Sequence, residues 1–245
     1  MDRLADTQTQ PHVLPRRTGT FRRRALLLVA AGLLAGTLPG CQIIIGSLLT
    51  LQGRPKTTCE FTNMTRGKSL AEKGKKVIVL STSSWSAQRE EPSLDLDIID
   101  SVSRRLQIEN VDVVDPHKVG TWLDDNGGIK ETTNLDPIGA KFGADYIVLF
   151  QFKDFGYRED NSPSLYRGHA SYQVVVVEMV ADKNVKRGKR AKVIYNRHFD
   201  SKYPNRPISE DEAGTQEVFK SKYVSRLSQD LTRLFVDYRP EDEIN

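Results

Sequence analysis

The sequence predicts an α/β (α+β) fold: a mixed β-sheet that opens with a parallel β-α-β unit, continues into a β-hairpin and packs against a C-terminal helix. Three observations predict it. Short runs rich in β-branched residues alternate with stretches whose apolar residues recur every three or four positions. Two long β-prone runs, 170–180 and 191–203, face each other across the polar turn 182–190, which is hairpin patterning. A last apolar series, Val218, Tyr223, Leu227, Leu231, Leu234 and Phe235, keeps the helical period and ends the chain with a helix docked on the sheet.

The elements follow in order. Lys76-Val77-Ile78-Val79-Leu80-Ser81 lies between Gly74 and a Ser/Thr cluster, so it reads as a buried first strand. From Ser93, a helix N-cap, Leu94, Ile98, Val102 and Leu106 fall four apart, and Asp95 and Asp97 in the first turn suit the positive helix end. Residues 111–116 form a second strand stopped by Pro116, and a shorter helix runs from His117 to Asp125 before Asn126-Gly127-Gly128. The β-α-β order implies a parallel pair. Another helix spans Asp136 to Phe142, and a third strand runs from Tyr146 to Phe152. Residues 210–238 supply the final helix.

The N-terminus carries the strongest signal. Arg22, Arg23 and Arg24 precede an apolar run from Ala25 to Gly36 and then small and turn-forming residues, the order of a secretory signal. That run is shorter than the roughly 20 residues a membrane-spanning helix needs. Leu38-Pro39-Gly40-Cys41 resembles the lipobox of bacterial lipoproteins, which implies lipidation of Cys41, loss of residues 1–40 and an anchor in the envelope. Gln42 after the cysteine, in place of aspartate, favours the outer membrane. A second reading joins Ala25–Gly36 to Ile43, Ile44, Ile45, Leu48, Leu49 and Leu51 as one uncleaved anchor, against which Pro39 stands mid-span. The arginines also loosely match a twin-arginine export signal. Residues 41–75 then read as anchor and polar tether, 76–238 as a single domain and 239–245 as a polar tail.

Charge narrows the partners. The chain holds 36 Lys+Arg and 32 Asp+Glu, and its pI is near 9.0. Residues 1–40 carry six of the former and two of the latter, so the remainder has 30 of each. A neutral body lacks the phosphate-neutralising surface of a nucleic-acid binder. Of the two cysteines, Cys59 has no partner once Cys41 is acylated and reads as an unreactive thiol in a linker.

The segment Phe142-Gly143-Ala144-Asp145-Tyr146-Ile147-Val148-Leu149-Phe150, placed after two βα units and before a hairpin and helix, resembles the corresponding element of a group of envelope lipoproteins and relatives. These are the penicillin-binding-protein activator lipoproteins, the curli-secretion lipoproteins and the N-terminal domain of the Tol translocation protein. The resemblance covers residues 76–237 in element order, with Gly143-Ala144-Asp145-Tyr146 as the sequence match. It implies the fold and an envelope setting, and it carries over no site residues.

Chemical motifs are sparse. Arg66-Gly67-Lys68-Ser69 lacks the first glycine of a phosphate-binding loop and precedes its strand instead of following one. Asp124-Asp125-Asn126 has Thr133 where a calcium loop needs glutamate. His117, His169 and His198 form no ligand-spaced pair, and no G-x-S-x-G elbow accompanies them. No catalytic, cofactor or metal residue is nominated. The expected interaction surface is aromatic and basic: Phe155, Tyr157, Arg158, Tyr166 and Arg167 in the connection before the hairpin, and Lys186, Arg187, Lys189 and Arg190 at its tip, a run suited to anionic lipid or to guarding a strand edge. These features imply a membrane-anchored, non-enzymatic envelope module that binds or scaffolds a protein partner. The alternatives are a hydrolase or transferase using Asp112, Asp115 or Asp154, and a subunit of a membrane-associated oligomer.

Overall fold

The computed structural model describes residues 56–129, 134–159, 161–181 and 188–239. The chain divides into two units, Met1–Pro55 and Lys56–Asn245, and the described residues all belong to the second. Cys41, Lys186 and Arg187 lie outside them. Twelve elements are described: α1 (Glu60–Met64), β1 (Lys76–Ser83), α2 (Trp85–Glu90), α3 (Leu94–Ile108), β2 (Asp112–Val113), α4 (Pro116–Asp125), α5 (Asp136–Phe142), β3 (Tyr146–Glu159), β4 (Ser162–Ala181), β5 (Lys189–Ile208), α6 (Glu210–Ala213) and α7 (Gln216–Arg233).

The five strands form one mixed sheet in the order β2-β1-β3-β4-β5. β1 runs parallel to both β2 and β3, while β3, β4 and β5 are antiparallel. The parallel opening and the β4–β5 hairpin are those predicted. A parallel strand buried on both faces needs a continuous apolar run, and Val77 to Leu80 supply it, each at most 2% exposed. Their alternation divides the core. Val77 and Val79 face α1, α2, α3 and α7 through a cluster that includes Phe61, Ile98, Phe150, Tyr223 and Phe235. Ile78 and Leu80 face α4 and α5 with Val119, Ile138, Ile147 and Met179. Among the described residues, no helix is long and apolar enough to cross a membrane.

Five expectations change. Residues 56–75 are part of the domain, not of a tether: Thr57 pairs with Tyr238, and Phe61 and Leu70 are fully buried. Phe61 sits among Tyr146, Tyr195 and Phe235 with ring centroids 5.7 to 6.5 Å away, so two anchors in a polar stretch are enough to close the base of the sheet. Cys59 is consequently buried, with its backbone N–H donating to Asp237 Oδ1 at 3.0 Å.

The second strand shrinks to Asp112–Val113, because Asp115 turns to cap α4 through the His117 N–H at 3.0 Å and Pro116 takes the first helical turn. Ser93 precedes α3 as expected, yet its hydroxyl donates to Glu91 and Asp97 rather than capping the backbone. The last helix is divided at Gly214, whose φ of +77° a residue with Cβ rarely adopts, and α7 restarts on a Thr215 cap. The shift turns Phe219 into the core (1% exposed) and leaves Val218 outside (45%). Finally, residues 153–169 are the far ends of β3 and β4 and not a connection.

Candidate functional site

In a sheet whose strand order reverses beside β1, the place for a ligand is the crevice at the carboxyl ends of β1 and β3. Here the chain fills most of it. Ser84 N–H donates to Phe152 O at 2.8 Å, extending the β1–β3 ladder by one bond, and Ser84 Oγ donates to Lys153 O at 2.9 Å while accepting from Ala87 N. That cap starts α2 directly over β3. Below it, Ser81 and Ser83 both donate to Asp95 Oδ1, at 2.7 and 2.6 Å, so the first turn of α3 is tied to β1. A hollow of about 290 Å³ remains, lined by Thr82, Ser83, Ser84, Gln151, Phe152 and Lys153.

The larger groove, about 580 Å³, lies between α3 and α7, with Glu91 and Tyr157 at its floor. Glu91 accepts from Tyr157 Oη at 2.8 Å, from Ser93 Oγ at 2.9 Å and from Lys220 Nζ at 3.2 Å. Burial alone would raise this carboxyl, but the hydrogen bonds from Tyr157, Ser93 and Lys220 outweigh it and hold Glu91 below its ordinary range. Burial and the bond to Glu91 push the Tyr157 phenol upward, so it stays protonated and donating. Lys220 Nζ stands 4.8 Å from the Tyr157 ring centroid. The trio joins the α2–α3 corner, β3 and α7; each member is already engaged by another, which makes it a brace.

The residues of the expected interaction surface separate. Phe155, Tyr157 and Tyr166 are 2%, 4% and 0% exposed and belong to the core under α7. They were read as surface because their segment was read as a connection; as strand residues their alternation sends them inward. The Arg158 guanidinium carbon lies over Tyr166, 3.9 Å from the ring centroid, and the side chain donates to Pro163 O at 3.1 Å. Arg167 pairs with Glu159 at 3.4 Å and donates to Asn205 O at 3.0 Å. Lys189 is turned into the sheet end, where it donates to Ala144 O and pairs with Asp145, and Arg190 is exposed. Gln216 at the start of α7 lies 3.4 Å from Arg158, a proximity no sequence pattern signals.

The far half of the β3-β4-β5 outer face is polar. His169 packs on Gly156, where a Cβ would meet the ring at 2.6 Å, and its Nε2 is 3.5 Å from Asp154 Oδ2. Ser171 Oγ is 3.2 Å from His198 Nε2, and Asp200 Oδ1 is 3.6 Å from that same nitrogen. These three residue types suggest a catalytic triad, but a triad uses one ring nitrogen for serine and the other for the carboxylate. Both contacts here compete for Nε2 on an open face. Of the other carboxylates considered, Asp112 is exposed on β2 and Asp115 is the α4 cap. Among the described residues, no group of three or more His, Cys, Asp or Glu could hold a metal ion.

The fold and site therefore define a mixed-sheet α/β domain with a braced helical face. No protein-family profile matches the chain, and no curated protein matches it. Solved structures overlay in part. The lipoprotein GNA1162 from Neisseria meningitidis is 11% identical, with a TM-score of 0.39 over 64% of this chain and 98% of that one. The hypothetical protein CT253 from Chlamydia trachomatis is 16% identical, with a TM-score of 0.38 over 66% and 96%. A PelC dodecamer from Paraburkholderia phytofirmans is 12% identical, with a TM-score of 0.40 over 74% and 98%. Overlap at this level assigns no function.

Proposed function

We propose that this protein is an envelope lipoprotein, anchored through Cys41, whose domain acts without catalysis as a binding or scaffolding module for another envelope component. The anchor reading rests on the n-, h- and c-region order of residues 21–41 and the Leu38-Pro39-Gly40-Cys41 ending. The single observation that carries the non-enzymatic reading is that Ser84 and α2 fill most of the β1/β3 crevice. An enzyme of this topology holds its substrate in that crevice, with titratable groups converging on an open pocket. The surface offered to a partner is the outer edge of β5, a 20-residue strand that no other strand flanks on that side among the described residues.

Two assays on the full chain test this. Incubated with isolated envelope polymers, the protein releases no fragment detectable by mass spectrometry. A photo-crosslinker at Val193, exposed on β5, captures one envelope protein in intact cells, and the same group at exposed Leu96 on α3 does not capture it. Fragment release that Asp154→Asn abolishes would overturn the reading in favour of a hydrolase.

A further inference from the structure

One end of the domain gathers exposed cations at its strand ends. The starts of β1, β3 and β5 and the end of β4 share one end by register, since Val77 pairs with Tyr146, Tyr146 with Glu178, and Ala181 with Lys189. Around it stand Lys68, Lys73, Lys75, Lys76, Lys189 and Arg190, against Glu72, Asp112, Asp145 and Glu178; Lys68 pairs with Glu178, and Lys75 and Lys189 with Asp145. Helix α3 and helix α7 both finish at this end, bringing Arg105 and Arg233 to a groove of about 350 Å³ that Lys56, Arg239, Glu109 and Asp237 also line, with Lys56 paired to Glu109 at 3.8 Å. The opposite end carries the acidic first turns, with Asp95 and Asp97 on α3 and Glu210, Asp211 and Glu212 on α6. Helix dipoles account for cations at helix C-termini, and so for Arg105 and Arg233. They do not account for Lys73, Lys76 and Arg190, which are exposed at or beside strand ends, where no dipole favours them.

Two further features mark the basic end. Ile108, at the end of α3, is 72% exposed, and Met64, at the end of α1, is 54% exposed. The chain also reaches the domain here, at Lys56, 15 residues after Cys41. Fully extended, that stretch spans at most about 50 Å. Under the lipoprotein reading, the link from the anchor therefore joins the domain at its basic end.

We propose that this basic end, with Lys73, Lys76 and Arg190 at the strand starts and Ile108 and Met64 at its rim, is a docking face for the anionic headgroups of the membrane that holds the protein. The inference rests on the anchored-lipoprotein reading. Docking lays the strand starts against the bilayer and points α2, the α3 N-terminus and the β3–β4 turn away from it. The hairpin tip continues the basic run in sequence with Lys183, Lys186 and Arg187. In sequence, Glu241, Asp242 and Glu243 follow Arg239. Each positive charge close to an anionic surface strengthens the association about fivefold.

The test is hydrogen exchange on the full chain reconstituted in vesicles of phosphatidylcholine alone or with about a third phosphatidylglycerol. Peptides covering residues 72–77, 105–110 and 189–193 exchange several-fold more slowly in the anionic vesicles, and peptides covering residues 85–97 do not change. The protection disappears in 0.5 M salt and in the Lys73→Glu/Arg190→Glu variant, whose unchanged exchange over residues 146–152 shows that it is folded. Equal exchange in both vesicle types, or protection that survives salt and the double variant, overturns the proposal. Mass analysis of the N-terminal peptide from the same sample separates the two claims: unmodified Cys41 with protection intact removes the lipid anchor and leaves the docking face, and acylated Cys41 without protection does the reverse.

Discussion

Asp145 and Lys189 meet at the base of the sheet with Oδ1 and Nζ 3.0 Å apart, closing the β4–β5 hairpin onto the α5–β3 corner. The other carboxylate oxygen of Asp145 accepts from Lys76 N–H at 3.1 Å, its own N–H donates to Lys76 O at 2.8 Å, and its carbonyl accepts from Met179 N–H at 2.8 Å. One residue thus stitches β1, β3, β4 and β5. Gly143 makes the position reachable, since its φ of +63° ends α5 in a left-handed turn.

Asp145→Asn therefore leaves the Lys189 ammonium without its charged partner and weakens the bond to Lys76, and it costs about 2 kcal/mol of unfolding free energy. Urea denaturation of the variant, of Lys189→Met and of the pair measures it, and the two losses are less than additive because they break one contact.

The same site makes stability depend on acid. Burial would raise the Asp145 carboxyl, yet the hydrogen bonds from Lys76 and Lys189 and the charges of Lys189 and Lys75 bring it below its ordinary value of 3.8. Glu91 likewise lies below 4.5. A carboxyl lowered by folding contributes fully above its unfolded value and loses that contribution as pH falls through its folded value. The midpoint of thermal unfolding is thus level above about pH 5 with respect to these two groups and falls below it. The fall is shallower in Asp145→Asn/Glu91→Gln than in the parent.

Much of this architecture is legible in the sequence, for reasons particular residues show. Val77 to Leu80 and Tyr146 to Phe150 announce strands because a strand covered on both faces must be apolar throughout. The β4–β5 pair is visible because period-two patterning flanks a charged turn. Phe61 is missed because its partners, Tyr146, Tyr195 and Phe235, come from three distant segments, and one aromatic residue among threonines carries no period. Residues 153–169 are missed as strand because the third strand is ended at Phe152 and the fourth begun at Ala170, and Gly156, Pro163 and Gly168 are residues that strands disfavour. In the structure, Gly156 and Gly168 are strand glycines held to that size by His169 and Tyr223 lying against them. The Glu91 brace joins residues 66 and 129 positions apart, a relationship only the fold creates.

Gly168→Ala is accordingly severe. Its Cβ would lie 2.5 Å from the ring of Tyr223, a fully buried residue of α7. A loss of about 2–3 kcal/mol follows from overpacking, with a fall in the thermal midpoint that Gly120→Ala on α4 does not share, since Gly120 has open space around it and helical backbone.

Residues 56–75 behave as domain, not spacer. Phe61→Ala removes a buried ring and costs about 3–5 kcal/mol, read by chemical denaturation, whereas Asn63→Ala on the exposed side of α1 leaves stability within about 0.5 kcal/mol. If the segment were a tether, the two variants would be equally silent.

The most direct test of the central claim is mass analysis of the N-terminal peptide of protein taken from membranes, beside the Cys41→Ser variant. The account predicts a peptide that begins at Cys41, carries two or three acyl chains and is absent from the variant. An intact N-terminus running from Arg22 through Leu51 with an unmodified Cys41 would contradict it and mark the leader as an uncleaved anchor.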